Sequence, residues 1–385
     1  MIMNETTKLR ITTVTPVTIG SGVELSPYAD YITDNEQICF IDKKKMVEKI
    51  MQKGESYLDQ YVYGVANKMD NNRSEFDLKS YLLNNEIVKS IDDVISSRCP
   101  LTGNFNNKLP VKGIVKSPLA KPYFPGSSIK GALKTVLMYN WLKTNENAEK
   151  TIKKVINDGN FDWLEKLFEY KEDEITKNVV RENVIQQVTD SKMMSRNSNV
   201  AVDCYRAGIP LRFECIAKEQ TTEFELTLAN YKWEDLVEQA NDYAFDCLDH
   251  ELHLISKQIN QLSEEKDKCN EEDSVIKIEK FIVKLNNYRK QVSVIQDLID
   301  NESMNAYFRI GFGKGYYLNS LGIAIYDYVS QKGKEDLYKI FVKFLKEEVA
   351  KGTKGEFSLE NFPKTRLFVT KTQEPLGWIK IEKIN

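Results

Sequence analysis

The segment that decides the fold is Phe124–Lys134, with the sequence FPGSSIKGALK. It predicts a tight turn that opens a helix, because Pro125 presets the backbone angle φ and Gly126 lets the backbone approach another group closely. Ser127 or Ser128 is placed to cap this helix, and the free N–H groups of its first turn would then face outward. Such a helix start attracts anions, so the segment predicts a phosphate-binding site.

The same helix lies in a stretch that lacks acidic residues. No Asp or Glu occurs from Val94 to Asn145, although the whole chain has a formal net charge of −3. The basic residues of this stretch give it a charge of +8, and they are Arg98, Lys108, Lys112, Lys116, Lys121, Lys130, Lys134 and Lys143. A basic stretch of this kind in an acidic protein indicates a polyanionic ligand.

Length and composition set the broad class. The 385 residues, of which 41% are hydrophobic, suffice for two domains or for one large domain with insertions. No apolar run approaches the roughly 20 residues of a membrane helix, and Met1–Arg10 has no signal-peptide core, so we expect a cytoplasmic protein. The six cysteines are scattered without a CxxC pair, which is typical of reduced, buried thiols.

Alternating β-branched residues predict strands near the start, in the middle and near the end of the chain, and other segments predict helices or loops. The predicted strands are Leu9–Ile19, a hairpin of Tyr28–Thr33 with Gln37–Ile41, Asn183–Val188, Val200–Tyr205, and Leu211–Lys218 paired with Glu223–Leu228, and at the end Thr365–Thr370 paired with Gly377–Ile381. The predicted helices start after Asp42 and after Gly126, and others cover Glu146–Lys177, Leu321–Val329 and Lys334–Ala350. We expect Leu101–Tyr123 to be a loop.

Two apolar series with alternating steps of four and three residues predict a helical hairpin. The first runs from Leu248 to Leu262 and the second from Ile278 to Ile299, with a polar break at Cys269–Ser274 between them. This spacing puts each series on one helix face, so two antiparallel helices would pack through them.

A second glycine-rich loop follows this hairpin. Tyr307–Tyr317 reads YFRIGFGKGYY and lies in another stretch without acids, between Glu302 and Asp327. Glu360–Glu374 encloses a third such stretch, which carries Lys364, Arg366 and Lys371. Neither glycine loop matches a nucleotide-binding fingerprint: Lys130 precedes the second glycine of the first loop, and Tyr316 occupies a required glycine position of the second.

Each glycine loop alone is equally consistent with a structural turn. Together, each in a basic stretch, the two favour contact with an RNA or DNA backbone, with neighbouring aromatic rings available for base stacking.

The sequence offers two places for catalytic or metal chemistry, and both have simpler interpretations. Cys247, His250 and His253 lie within one predicted helix, but the two histidines are three residues apart and not four, so a packed helix face is favoured over a metal site. Asp190 follows a predicted strand, where an Asp most often caps a turn. No Ser/His/Asp or Cys/His set of a nucleophilic enzyme stands out.

The order of these motifs resembles the RAMP proteins of CRISPR systems, and more narrowly the family of fifth subunits of type III-A Csm effector complexes. The resemblance rests on Pro16–Gly22, on Pro125–Gly131, on Asp190 and Ser191, on Gly311–Gly315, and on Pro375–Trp378. It covers nearly the whole chain, and the closing Leu-Gly-Trp segment narrows it to that subunit.

The resemblance implies an α+β fold with a ferredoxin-like (RRM-like) core, in two copies, elaborated by helical insertions. It divides the chain into an N-terminal RAMP domain at 1–232, a helical hairpin at 233–302 and a C-terminal RAMP-like part at 303–385. It also implies a crRNA-binding subunit that caps the complex at the 3′ end of the guide, contacts the other Csm subunits and contributes to crRNA maturation with recruited host nucleases, without membrane, metal or cofactor.

We therefore expect RNA contacts and no catalytic residues. The expected RNA-binding residues are Gly126, Ser127, Ser128, Lys130, Gly131, Lys134, Arg309, Gly311, Gly313, Lys314, Gly315 and Tyr316, with Tyr317 stacking or packing. Two departures matter: 233–302 is acidic, which favours solvent or a protein partner over RNA, and the N-terminal half lacks the histidine of repeat-cleaving RAMP endoribonucleases. The alternatives are a RAMP-type ribonuclease that uses Asp190 or His250, and an architectural subunit whose basic stretches contact protein.

Overall fold

The computed structural model describes residues 4–71, 76–105, 108–144, 152, 184–206, 208–350, 357, 359, 362–363 and 365–384. All but one residue of the predicted helical region Glu146–Lys177 lies outside this set. The helices are α1 Lys43–Lys53, α2 Glu55–Asn71, α3 Leu78–Asn84, α4 Gly126–Thr144, α5 Trp233–Lys268, α6 Glu272–Asn301, α7 Gly322–Val329 and α8 Glu335–Phe344. The strands are β1 Asn4–Thr13, β2 Gly20–Leu25, β3 Tyr31–Asp34, β4 Gln37–Ile41, β5 Ile95–Thr102, β6 Val111–Ile114, β7 Ile185–Val188, β8 Asn199–Arg206, β9 Ile209–Ile216, β10 Thr221–Ala229, β11 Ala306–Arg309, β12 Phe368–Val369 and β13 Trp378–Lys383.

An antiparallel five-stranded sheet with the order β11-β13-β1-β10-β7 holds the main core. Alternate residues of its central strand, such as Leu9 and Ile11, are completely buried, because strand side chains point to opposite faces in turn. Strands from the beginning, the middle and the end of the described chain therefore share one sheet.

The pairing of β10 and β13 corrects two predictions. Glu223–Leu228 forms a strand, but β10 pairs with β1 and β7 instead of returning to the preceding strand β9. The last two predicted strands are also present, but they do not pair with each other as predicted. Instead, β12 pairs with β8, and β13 pairs with β1 and β11.

The second sheet has the order β2-β6-β9-β8-β5-β4-β3, with β12 added beside β8. The predicted hairpin is its β3–β4 pair, and the Asp42 side chain caps α1 by accepting a hydrogen bond from the Lys45 amide, as predicted. The predicted loop Leu101–Tyr123 is partly wrong, because it contains β6 and the end of β5. These strands pair in parallel with distant β9 and β8, so no local hairpin pattern announces them.

The helical hairpin is confirmed as α5 and α6. Leu248 and Ile255 of α5 and Tyr288 and Val292 of α6 are buried in the same core as the five-stranded sheet. The first half of α5 also packs into that core. One end of the hairpin is therefore buried in the fold, while its tip, near Cys269, is at the surface. No helix within the described ranges is long and apolar enough to cross a bilayer.

Candidate nucleic-acid interface

The start of α4 is held against the strand end at Asp190 and Ser191. Two hydrogen bonds join Phe124 to Ser191: the Ser191 amide donates to the Phe124 carbonyl, and the Phe124 amide donates to the Ser191 side-chain Oγ, both at 2.9 Å. A Cβ on Gly126 would lie 2.4 Å from the Val188 carbonyl oxygen. Gly126 is therefore required by packing within the protein, and the predicted close approach is to the strand end and not to a ligand.

The cap of α4 corrects another prediction. The Asp190 carboxylate accepts the Gly126 amide at 2.7 Å, so neither Ser127 nor Ser128 occupies the capping position. The Ser128 amide bonds to the Pro125 carbonyl oxygen at 3.0 Å. A carboxylate is a stronger acceptor than a hydroxyl and also complements the helix dipole, so part of the predicted phosphate seat is already filled.

Most of the basic residues between Val94 and Asn145 are neutralised by acids from elsewhere in the chain. The ion pairs are Arg98–Asp92, Lys108–Asp77, Lys112–Glu24, Lys116–Glu214 and Lys143–Asp246. Among the described residues, this leaves Lys121, Lys130 and Lys134 without an acidic partner. The charge available to a ligand is therefore much smaller than the +8 of the sequence, and two of its three cations lie in the first half of α4.

Lys130 and Lys134 form a pair of like charges on one face of α4, one helical turn apart. Partial burial, and next the charge of Lys130, lower the pKa of Lys134. Gly131 directly follows Lys130 and lies one turn before Lys134, and a Cβ built there would have no described atom within 4 Å. The two lysines and the bare backbone at Gly131 together form a surface on which a phosphate can lie close to the helix.

The second glycine loop interlocks with two other motifs. The Phe312 amide donates to the Thr18 carbonyl at 2.9 Å, and the Ile310 amide donates to the Gly377 carbonyl at 2.7 Å. Gly311 has φ +78, and a Cβ there would lie 2.1 Å from the Thr18 carbonyl oxygen. The glycines at the base of this loop thus serve the fold, and three motifs that are far apart in sequence meet here.

The glycines of the loop differ in what surrounds them. Gly313 has φ +98, and a Cβ there would lie 3.1 Å from the Leu367 side chain. Gly315 has φ +72 and no described atom within 4 Å of an added Cβ. Of the three glycines of this loop, Gly315 is the one whose backbone has no described neighbour on that side.

Two predicted RNA contacts of this loop are turned into the protein. Arg309 is buried, donates through Nε to the Leu376 carbonyl at 2.8 Å and lies 3.5 Å from Glu251. The Tyr316 ring packs against Tyr317 and Phe362 at centroid distances of 5.3 and 5.5 Å. Since both side chains already have partners in the core, neither is presented to RNA, and Tyr317 likewise packs.

Lys314 differs from Arg309. It is half-buried and has no hydrogen bond or ion pair to any residue in the described part of the chain. Burial, and next the charge of Arg309, lower the pKa of Lys314 to about 8. An unpaired ammonium in such a position gains from an anion that replaces its lost water.

The residues of the ribonuclease alternative have structural partners. Asp190 caps α4, and the His250 ring lies edge-on to Tyr317 and Tyr326 at 4.5 and 4.6 Å. Burial is the main cause that lowers the pKa of His250 to about 4, and His253 and Arg366 add to it. His250 is therefore a neutral core residue at neutral pH, as the packed-face interpretation predicts.

The structure adds two surface groups that sequence reasoning did not include in the site. Lys121 lies on the tight turn before α4 and has no acidic partner among the described residues, and Phe312 is 41% exposed at the tip of the second loop. In the sequence, nothing distinguishes Lys121 from the neighbouring lysines that form ion pairs in the structure. Phe312 lies between two glycines, which have no side chains to cover its ring, and this is the one signal in the sequence that the ring is exposed.

Comparison with known proteins places the whole chain in context. A family model for the RAMP superfamily matches residues 10–371. A Streptococcus thermophilus protein described as "CRISPR system Cms protein Csm5" is 34% identical over 157 residues, which is 37% of this chain and only 41% of that protein. A Methanocaldococcus jannaschii protein with the same description is 23% identical over an alignment of 414 residues that covers 98% of this chain and 88% of that protein.

Solved structures share the fold. The corresponding chain of a cryo-EM structure of a Csm–crRNA–target RNA ternary complex from a type III-A CRISPR-Cas system has a TM-score of 0.63 at 18% identity, covering 98% of this chain and all of that one. The crystal structure of T. onnurineus Csm5 has a TM-score of 0.54 at 19% identity, covering 96% and 99%. The predicted resemblance and the α+β class are confirmed, and the two curled sheets are consistent with two ferredoxin-like cores.

Proposed function

We propose that this chain, which belongs to the RAMP superfamily, is the crRNA-binding fifth subunit of a type III-A Csm complex, that it caps the complex at the crRNA 3′ end, and that it contributes to crRNA maturation without cutting RNA itself. The family match and the Csm5 relatives support membership of such a complex. The other Csm subunits and, for trimming, host nucleases are its partners in this proposal.

One observation carries the RNA-binding role. Lys121, Lys130 and Lys134 remain without an acidic partner among the described residues, although five neighbouring cations are paired. Unpaired cations on a surface repel each other, which is a cost that a phosphate backbone removes.

The salt dependence of RNA binding tests this role. Each phosphate contact to single-stranded RNA contributes about 0.7 to the slope of log affinity against log salt, so replacing Lys121, Lys130 and Lys134 by Gln is expected to reduce the slope by about 2. The matched control replaces Lys108, Lys112 and Lys143 by Gln, because each of these has a carboxylate partner and exposed pairs contribute little stability. Equal slopes for the two triple variants would contradict RNA binding at this surface.

The position and the lack of nuclease activity need separate measurements. Crosslinking in the assembled complex, with the crosslinked peptides mapped by mass spectrometry, is expected to join α4 and the second glycine loop to the 3′ part of the guide. The pure protein is expected to leave labelled repeat RNA intact. Cleavage that Asp190→Ala or His250→Ala abolishes in a folded protein would favour the ribonuclease alternative.

A further inference from the structure

The tip of the second glycine loop presents an aromatic ring to solvent. Phe312 is 41% exposed, and among the large apolar side chains that are exposed in the described ranges the only other aromatic is Tyr63, which lies on α2. The neighbouring tyrosines, Tyr316 and Tyr317, pack against each other and against Phe362, so Phe312 is the ring of this loop that the fold leaves exposed.

The backbone under this ring is fixed. The Phe312 amide donates a hydrogen bond to the Thr18 carbonyl, and the neighbouring Gly311 backbone packs against the same carbonyl. The Phe312 ring also rests on the buried Phe213 ring, with a centroid distance of 5.0 Å and a tilt of 36°. The ring is therefore held in place, and it would lose little conformational entropy when another flat group packs on it.

The surroundings of the ring suit a nucleotide. Lys314 follows two residues later as a cation without a partner among the described residues, and the open backbone of Gly315 comes next. A flat apolar face, followed along the loop by an ammonium without a described partner and by an open backbone, fits a base together with its phosphate, whereas an apolar protein side chain would leave the ammonium uncompensated.

We propose that Phe312 is a stacking platform for an unpaired base of the bound RNA, with Lys314 beside the adjacent phosphate. This assignment rests on the proposed RNA-binding function. Base stacking is thereby assigned to Phe312, the one ring of the loop that is exposed, and not to Tyr316 and Tyr317, which pack in the core.

Three substitutions at one position separate stacking from packing. Base–aromatic stacking accounts for about a 5- to 150-fold difference in affinity on substitution by alanine, so Phe312→Ala is expected to weaken binding of a single-stranded RNA within that range. Phe312→Leu keeps an apolar contact with Phe213 but has no flat face, and it is expected to bind as weakly as Phe312→Ala. Phe312→Trp is expected to bind at least as tightly as the wild type.

Fluorescence supplies a second readout. The tryptophan of Phe312→Trp is expected to be quenched by RNA but not by inorganic polyphosphate, which competes for the lysines and has no bases. The wild-type protein gives the background of its four own tryptophans. Melting temperatures of all variants show whether any affinity loss follows from unfolding.

The outcomes distinguish this assignment from the function on which it rests. If the wild type binds RNA with a slope that depends on Lys130 and Lys134, but Phe312→Leu binds normally and Phe312→Trp is not quenched, the stacking role is refuted and the function stands. That result together with loss of another Csm subunit from the Phe312→Ala complex would make the ring a protein contact. If the wild type binds no RNA, both proposals fail.

Discussion

Replacing Gly131 by Ala is expected to stabilise the folded protein and to weaken RNA binding at the same time. Gly131 lies inside α4 with no atom of the described residues within 4 Å of an added Cβ, so the methyl group meets no described part of the protein. A glycine inside a helix costs about 1 kcal/mol relative to alanine, which corresponds to a rise in melting temperature of about 1–2 °C for a chain of this size.

The expected loss of RNA affinity follows from the position of Gly131 at the edge of the face that carries Lys130 and Lys134. A methyl group at Gly131 would push a phosphate away from Lys130 and Lys134. Moving it from about 4 to about 6 Å from one ammonium, at an effective dielectric constant of about 20, loses about 1.4 kcal/mol, or up to about tenfold in affinity. The assay is RNA titration by fluorescence anisotropy at two salt concentrations, with thermal melting on the same preparation.

Gly126→Ala is the matched control on the same helix. Its Cβ would lie 2.4 Å from the Val188 carbonyl oxygen, so overpacking is expected to cost about 1–3 kcal/mol while the folded fraction binds RNA normally. The reasoning is refuted if Gly131→Ala raises the melting temperature and binds RNA with wild-type affinity, since the backbone of α4 would then not be approached by the ligand.

Three further predictions concern single residues. Arg309→Met is expected to cost about 3–5 kcal/mol of folding stability, because it removes the ion pair with Glu251 and the hydrogen bond to the Leu376 carbonyl, so that Glu251 keeps only its hydrogen bond from Tyr288. The salt slope of the folded protein should stay unchanged, in contrast to the loss of a phosphate contact. Asp190→Ala is expected to lower the folding stability by about 0.5–2 kcal/mol because the helix cap is lost, whereas Asp190→Asn retains a capping oxygen. Both variants should bind RNA more tightly, because each removes a negative charge from the start of α4. Weaker RNA binding by either variant would count against an RNA site there. The pKa of Lys314 is lowered from 10.5 to about 8, so RNA affinity should fall as the pH rises through 8, and Lys314→Arg should remove this dependence. Because the unfolded chain holds the proton up to its higher pKa, the contribution of Lys314 to folding stability rises between pH 8 and 10.5. A wild-type RNA affinity that is flat from about pH 7 to 9 would exclude Lys314 from the site.

Local patterns predicted the elements better than their partners. The hairpin β3–β4, the cap at Asp42 and the helices α5 and α6 follow from spacing within about 30 residues, and all are present. The pairing of β5 with β8 and of β10 with β1 joins segments that are far apart in sequence, and no local period encodes which strand lies next to which. For the same reason the pair β12–β13 was predicted wrongly.

In the candidate site, too, the positions of the charged residues could be predicted from the sequence, but their partners could not. The acid-free stretch is visible in the sequence, but the acids that neutralise it are distant, as for Lys112 with Glu24 and Lys143 with Asp246. A count of charges along the chain therefore overestimates the field, and only the folded arrangement leaves Lys121, Lys130 and Lys134 free among the described residues. The domain boundaries at 232 and 302 remain predictions.

The glycines of the motifs fall into two physical groups, and this division connects fold to function. At Gly126, Gly311 and Gly377 the space of the missing side chain is filled by a backbone carbonyl oxygen of the protein, so these glycines are constraints of the fold. At Gly131 and Gly315 that space is open, and each of these glycines directly follows a lysine without a partner in the described chain. Open backbone next to an ammonium without a described partner serves no contact among the described residues, so at these two places a ligand with negative charge explains both features at once.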